Sequence, residues 1–247
     1  MNLSYAEEQI ALRDSAKRFL ADRYGAAARK NPERGSQGFN PAIWRAFADL
    51  GWLGLPLPSA HGGSDGSMVD AAILAEAFGH HLVVEPYVSS VILCGGLIER
   101  AASADQQAAL LPFIADGSRR FAFAHQERGW TLDPQSITTH ASGVGQDWTV
   151  HGSKSVVLDA AAAQDILVTA RTSADAISVF LVPHNSSGLT RQTYDTVDGR
   201  LAATLALDSV PAILLGDASD QSPSIALVID RAVAMLAADA VGAMQAA

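Results

Sequence analysis

Cysteine is almost absent from this 247-residue chain, which holds only Cys94. One thiol excludes an internal disulfide and any multi-cysteine metal site. Its apolar setting, VILCGGLI, marks Cys94 as a core residue rather than a nucleophile. Basic residues are also scarce, 17 Lys and Arg against 26 Asp and Glu, for a formal net charge of -9. With no basic run to offset it, that balance argues against a nucleic-acid partner. The N-terminus, MNLSYAEEQI, lacks the basic-then-apolar order of a secretory signal. A cytoplasmic protein is the expectation.

What is plentiful is apolar residue, 49% of the chain, enough for a sizeable core in one large domain or two smaller ones. The densest stretch is the last, SPSIALVIDRAVAMLAADAVGAMQAA. Ser222 suits an N-cap and Pro223 the first helical position, so the stretch reads as a helix about 36 Å long. It is apolar on nearly every side and so is expected to be buried on nearly every side. Asp230, Arg231 and Asp239 make membrane insertion costly. The expectation is that a partner covers this helix, or that the chain is the front of something longer.

The first half reads helical. Ser4 and Glu7 have capping-box spacing. Asn40 and Pro41 open a second helix with Ile43, Trp44, Phe47 and Leu50 on one side. A Gly-, Pro- and Ser-rich loop, GWLGLPLPSAHGGSDGS, follows over residues 51–67. Further helices are expected over 68–82, 88–101 and from Ser103 to near Gly117. After Arg120 the period changes. RFAFA, DWTVHGSKSVVL, ILVTART, AISVFLVP and LAATLALDSV predict short strands of a barrel or sandwich. Helices, then strands, then a helix suggests separate blocks: 1–118 helical, 119–219 β, and 220–247 a terminal helix.

The 51–67 loop resembles the GWLGL segment of acyl-CoA dehydrogenases, which continues through a proline and paired glycines. SADQQAALLPFIADGSRRFAFA, GSKSVVLDAAAAQDILVTART and RAVAMLAADAVGAMQAA resemble three further segments of that family, in the same order. The resemblance implies an N-terminal helical bundle, a central antiparallel β-barrel or sandwich domain, and the start of a C-terminal helical bundle. It also implies FAD as cofactor, an acyl-CoA thioester as substrate and α,β-dehydrogenation as the reaction. In such an enzyme a polarised thioester carbonyl acidifies the α proton. Electron-transferring flavoprotein is the usual acceptor for dehydrogenases of this resemblance.

Carried over residue by residue, the family's Y-x-V-T-E-P-x-x-G-S-D loop falls on FAFAHQERGWT. Phe121, Phe123 and Ala124 take the strand positions, and Gly129 and Trp130 those of the Gly-Ser pair. Ala124 then replaces the flavin-bonding Thr, and His125 the Glu. The second flavin element, W-I-T-N, falls on Val156, Val157, Leu158 and Asp159. The covering Trp and its Thr are therefore missing. The bland reading of 156–158 is a buried strand. This variant, and TVDGR at Thr196–Arg200, resemble the short subunit of two-subunit acyl-CoA dehydrogenases of the pimeloyl-CoA and steroid side-chain types. The family's usual catalytic Glu has no counterpart here, and a minority position for it falls on Asp230, just before Arg231. Asp230 is the candidate base, and Trp130 and Arg231 are candidate substrate contacts. The competing reading makes Asp230 and Arg231 a charge pair on a buried helix.

Three readings stay open at this point: an enzyme chain that works with a longer dehydrogenase subunit or by self-association, a subunit without chemistry, and a fragment of a full-length enzyme.

Overall fold

A computed structural model describes residues 4–25, 37–129, 136–145 and 147–247. Helix α1 (Glu7–Arg23) starts later than Ser4 predicts, because the Ala6 N–H donates to Gln9 Oε1 at 3.1 Å and fixes the first turn there. Helix α2 (Pro41–Asp49) is capped by Asn40, whose Oδ1 accepts from the Ala42 and Ile43 N–H groups. It buries Ile43, Trp44 and Phe47. Leu50, expected on the same face, is exposed, because the helix has already ended at Asp49. Helix α3 (Met68–His81) carries a reciprocal Ser67–Asp70 cap.

The predicted helix over 88–101 is continuous but not uniform. Val88–Gly95 is a π-helix and only Gly96–Ala101 (α4) has α geometry. Wide turns of this kind are rare and concentrate at functional sites. Ser90 Oγ accepts from the Phe121 N–H at 3.1 Å, tying the π-helix to the first strand. Helix α5 (Ala104–Ala115) follows, with a Ser103–Gln106 capping box.

The strands are β1 (Phe121–Ala124), β2 (His140–Val144), β3 (Asp147–Leu158), β4 (Asp165–Arg171), β5 (Ile177–Pro183), β6 (Leu189–Asp195) and β7 (Leu201–Leu214). Strands β4, β2, β3, β7 and β5 pair in turn, and β5 returns to β4, which closes a barrel. The pairing is antiparallel except that β1 and β2 each run parallel to β4. Strands β2 (HASGV) and β6 (LTRQTYD) were not foreseen, since neither carries an apolar alternation. They form because β3 and β7 offer them ladder partners.

Two apolar clusters hold the chain. One fills the barrel, with Val150, Val157, Ile166, Val168, Phe180 and Leu205 among its members. The other runs through the helices and onto the outer face of the sheet at Phe121, Leu167, Val179 and Leu181. The helical layer and the barrel thus share a core.

The terminal helix, α6 (Ser222–Ala246), differs from expectation at its start and along its sides. Gln221 occupies the cap position and Ser222 is already helical, its hydroxyl turned to Asp220. Gln221 instead ties the barrel to the helix, accepting from the Val179 N–H and donating to the Leu215 carbonyl. The helix buries Ile225, Val228, Ala232, Met235 and Gly242. Its other side leaves Val233, Val241 and Met244 exposed. The buried side lies backbone to backbone on α3. A Cβ on Gly79 would sit 1.8 Å from the Asp239 carbonyl oxygen, and one on Gly242 1.8 Å from that of Glu76. Only glycine permits this approach.

Candidate functional site

A cleft of about 200 Å³ opens where β1, the end of β3, the π-helix and α6 meet. Alternation along β1 explains its first wall. Ala122 and Ala124 point into the barrel core, while Phe123 and His125 point the other way and line the cleft. Their rings are nearly parallel, 6° apart with centroids at 5.6 Å.

A break in the β3–β7 ladder builds the second wall. The register shifts between Lys154 and Val157. At the break Val156 takes φ +52° and Asp159 φ +60°. A β-branched residue in the left-handed region is a true outlier, and such strain collects at functional sites. The bulge re-aims side chains as bulges do. Val156 and Leu158 come out onto the cleft, 45% and 37% exposed, while Val157 goes into the barrel core at 1%. The stretch is therefore not a simple buried strand. Across the cleft, Ala232 and Leu236 of α6 supply an apolar face, with Val88 and Leu93 of the π-helix beside them.

Polar groups gather at the edges. Ser89 Oγ donates to Asp159 Oδ2 at 2.5 Å, tying the π-helix to the end of β3. Arg200 reaches the cleft from the turn before β7 and pairs with Asp198 at 3.5 Å. Burial raises the Asp239 carboxyl above the ordinary carboxylate range, and the nearby Arg200 charge works against that rise. Cys94 is buried, and both that burial and the Asp159 charge raise its thiol well above the ordinary value. The thiolate needed for nucleophilic chemistry is thereby suppressed.

Beside the β1 loop lies a fully buried lysine. Lys154 Nζ donates to Glu127 Oε1 at 2.9 Å, the His125 carbonyl at 3.1 Å and Thr169 Oγ1 at 3.3 Å. An ammonium has three donors, and all three are used. Glu127 also accepts from the N–H and hydroxyl groups of both Thr138 and Thr139, at 2.6 to 2.9 Å. Burial opposes its ionisation, but these bonds and the Lys154 charge hold the carboxyl down at about 2. Burial brings Lys154 down to about 8 against the pull of Glu127. Both are charged at neutral pH. Burial, then the Lys154 charge, bring His125 down to about 4, so its ring is neutral there.

The expected site residues divide. Phe123, Val156 and Leu158 line the cleft. Phe121, Ala124 and Val157 lie beneath it in the two cores. Gly129 sits in a turn at φ +92°, and Trp130 falls outside the described residues. Asp230 is exposed and does not line the cleft. Arg231 pairs with Glu99 at 3.7 Å rather than with Asp230. The helix turns these two neighbours to different sides, so Asp230 and Arg231 do not pair with each other.

Sequence reasoning missed Glu127, Lys154, Gln126, Ser89 and Arg200. One signal could have found the first. Shifting the expected motif by two residues puts Gln126 and Glu127 on its Thr and Glu. The structure gives that register a carboxylate buried against Lys154. Among the described residues no cluster of three His, Cys, Asp or Glu could hold a metal, and no helix is long and apolar enough to cross a membrane.

Residues 6–118 match the acyl-CoA dehydrogenase N-terminal domain and residues 122–210 the middle domain. The acyl-CoA dehydrogenase FadE12 of Mycobacterium tuberculosis is 31% identical over 191 residues, 74% of this chain and 48% of that protein. A solved variant of the Tcur3481-Tcur3483 steroid ACAD is 30% identical, with a TM-score of 0.81 over 94% of this chain and 62% of that one. A glutaryl-coenzyme A dehydrogenase in complex with glutaryl-CoA shares the fold at a TM-score of 0.89 and 20% identity, over 100% of this chain and 66% of that one. The chain thus spans about half of that curated relative and somewhat under two thirds of the steroid enzyme's chain.

Proposed function

This chain belongs to the acyl-CoA dehydrogenase family, and from that premise we propose that its cleft takes the ring of an FAD and the acyl part of an acyl-CoA thioester. The observation that carries this is the bulge, which turns Val156 and Leu158 out to face Ala232 and Leu236 across an open slot. Two apolar walls suit a flat ring, and His125, Gln126, Asp159 and Arg200 at the margins suit its heteroatoms. Bound there, the flavin supplies hydride acceptance during α,β-dehydrogenation. The residues of this chain orient the ring and keep water from its apolar face. Ser89 holds Asp159 at the edge of the slot.

Proton removal, in this reading, falls to a partner subunit, with electron-transferring flavoprotein as the onward acceptor. Two observations support a partner: Asp230 stays out of the cleft, and α6 leaves Val233 and Met244 uncovered. The likeness to an assembly named for two components points the same way. Residues 1–118, 119–219 and 220–247 are the working divisions of this reading. A second reading, a subunit without chemistry, is favoured by Val156 and Leu158 standing where the family motif has Trp and Thr.

The test is to purify the chain alone and together with a longer dehydrogenase subunit. Flavin per chain and dehydrogenation of an acyl-CoA with an artificial electron acceptor are then measured. Bound flavin with turnover only in the mixture is expected. No flavin in either sample would favour the second reading, and turnover by the chain alone would remove the need for a partner.

A further inference from the structure

Thr169 Oγ1 is fully buried on β4, and its hydrogen bonds decide the state of a ring in the cleft. Among the described residues the hydroxyl has two side-chain neighbours. Lys154 Nζ lies at 3.3 Å and His125 Nδ1 at 3.0 Å. An ammonium can only donate, so Lys154 occupies a lone pair of the Thr169 oxygen. The Thr169 proton must then go to the one remaining neighbour, His125 Nδ1. If His125 Nδ1 held the proton instead, the hydroxyl hydrogen would be sealed in with no acceptor, a penalty of the kind buried polar groups avoid. A histidine ring whose Nδ1 accepts carries its proton on Nε2.

We infer that Lys154 and Thr169 lock His125 in its Nε2–H tautomer, so that the ring presents a hydrogen-bond donor to the cleft. Three features of the site agree. Lys154 is held as an ammonium by its three acceptors. His125 lines the cleft, and its Nε2 makes no bond among the described residues yet is not one of the sealed, unsatisfied atoms. Phe123, stacked on the ring, limits its freedom to flip. The ligand class that fits is a flat ring with a carbonyl or imine acceptor at its edge. That it is a flavin rests on the function proposed above. In that case His125 offers the ring's edge a donor beside Gln126. His125 is then a ligand-binding residue, and Lys154 and Thr169 are positioning residues that act through it.

Two measurements on the full chain separate the inference from the function it builds on. Long-range 15N–1H spectra of the ligand-free protein at pH 7 read the tautomer directly. The expected pattern for His125 is protonated Nε2 and bare Nδ1, kept in Thr169→Ser and lost to a mixture in Thr169→Val. A protonated Nδ1 or an imidazolium in the wild-type spectrum would overturn the inference, whatever either variant does. FAD titration of the chain mixed with the longer subunit, followed by flavin fluorescence, then tests the acceptor. His125→Phe is expected to bind FAD about tenfold more weakly, the worth of one net hydrogen bond. Equal affinity would overturn the contact. If wild type takes up no FAD while showing the Nε2–H pattern, the flavin reading fails and the locked donor stands.

Discussion

The two walls of the cleft are built by different physics. On the β1 side Lys154, Glu127, Thr138, Thr139, Thr169 and His125 form a hydrogen-bonded charge network, most of it out of water. On the α6 side there is hardly any polar chemistry, and two glycines let α3 and α6 touch along their backbones. The first wall is fixed by directional bonds that each constrain a position. The second is fixed by packing on one side only and leaves an apolar face open. The contrast teaches that this chain specifies the polar edge of its site by itself and presents the apolar wall on a helix that is half uncovered.

The sharpest way to break that contrast is Lys154→Met, which leaves the partly buried Glu127 without its countercharge. Removing one partner of a fully buried pair costs about 3 to 5 kcal/mol, and the low end is expected here. Urea unfolding should show that loss, and adding Glu127→Gln should recover part of it. Equal losses in the single and double variants would mean that the pair is not coupled.

Acid should weaken the polar wall. The folded His125 value of about 4 lies below the ordinary 6.5, so the unfolded chain binds more protons in between. Stability from this group is present above about pH 6.5 and is lost as pH falls toward 4, at most about 3 kcal/mol. Glu127, held at about 2, adds a second loss as pH falls from 4.5 toward 2. Thermal unfolding against pH should show the upper step in wild type and lack it in His125→Phe.

Gly242→Ala tests the packed wall. Its new methyl meets the Glu76 carbonyl and must part α3 from α6, at about 1 to 3 kcal/mol. Amide exchange should speed up along α6 and leave the β1 loop unchanged. The smallest effect should come from Val156→Gly, which relieves the left-handed strain at the bulge. The ligand-free chain should gain about 1 kcal/mol, against the usual cost of glycine in a strand. A clear loss would show that the bulge is not strained.

Much of this could be read in advance. The helices capped by Asn40, Ser67 and Ser103 carry their signals within three residues. The apolar strands β3, β4, β5 and β7 stand out from their neighbours. Of the residues read from the family motifs, Phe123, Val156 and Leu158 line the cleft. Register was less legible: the motif's Glu falls on His125, two residues before Glu127, the carboxylate that meets Lys154. Asp230 follows from a family position, and its adjacency to Arg231 in sequence says nothing about which way a helix faces: Arg231 turns to Glu99.

Caps and periodicity therefore determined the order of elements, because those signals act between residues a few positions apart, and the motif segments carried the likeness to the family. Tertiary structure alone decided that Lys154 meets Glu127, 27 positions away, that the β3–β7 mismatch throws Val156 outward, and that Gly79 and Gly242 meet their opposing backbones. Each depends on groups brought together only when the barrel closes and the helices pack, and no local preference encodes such a meeting.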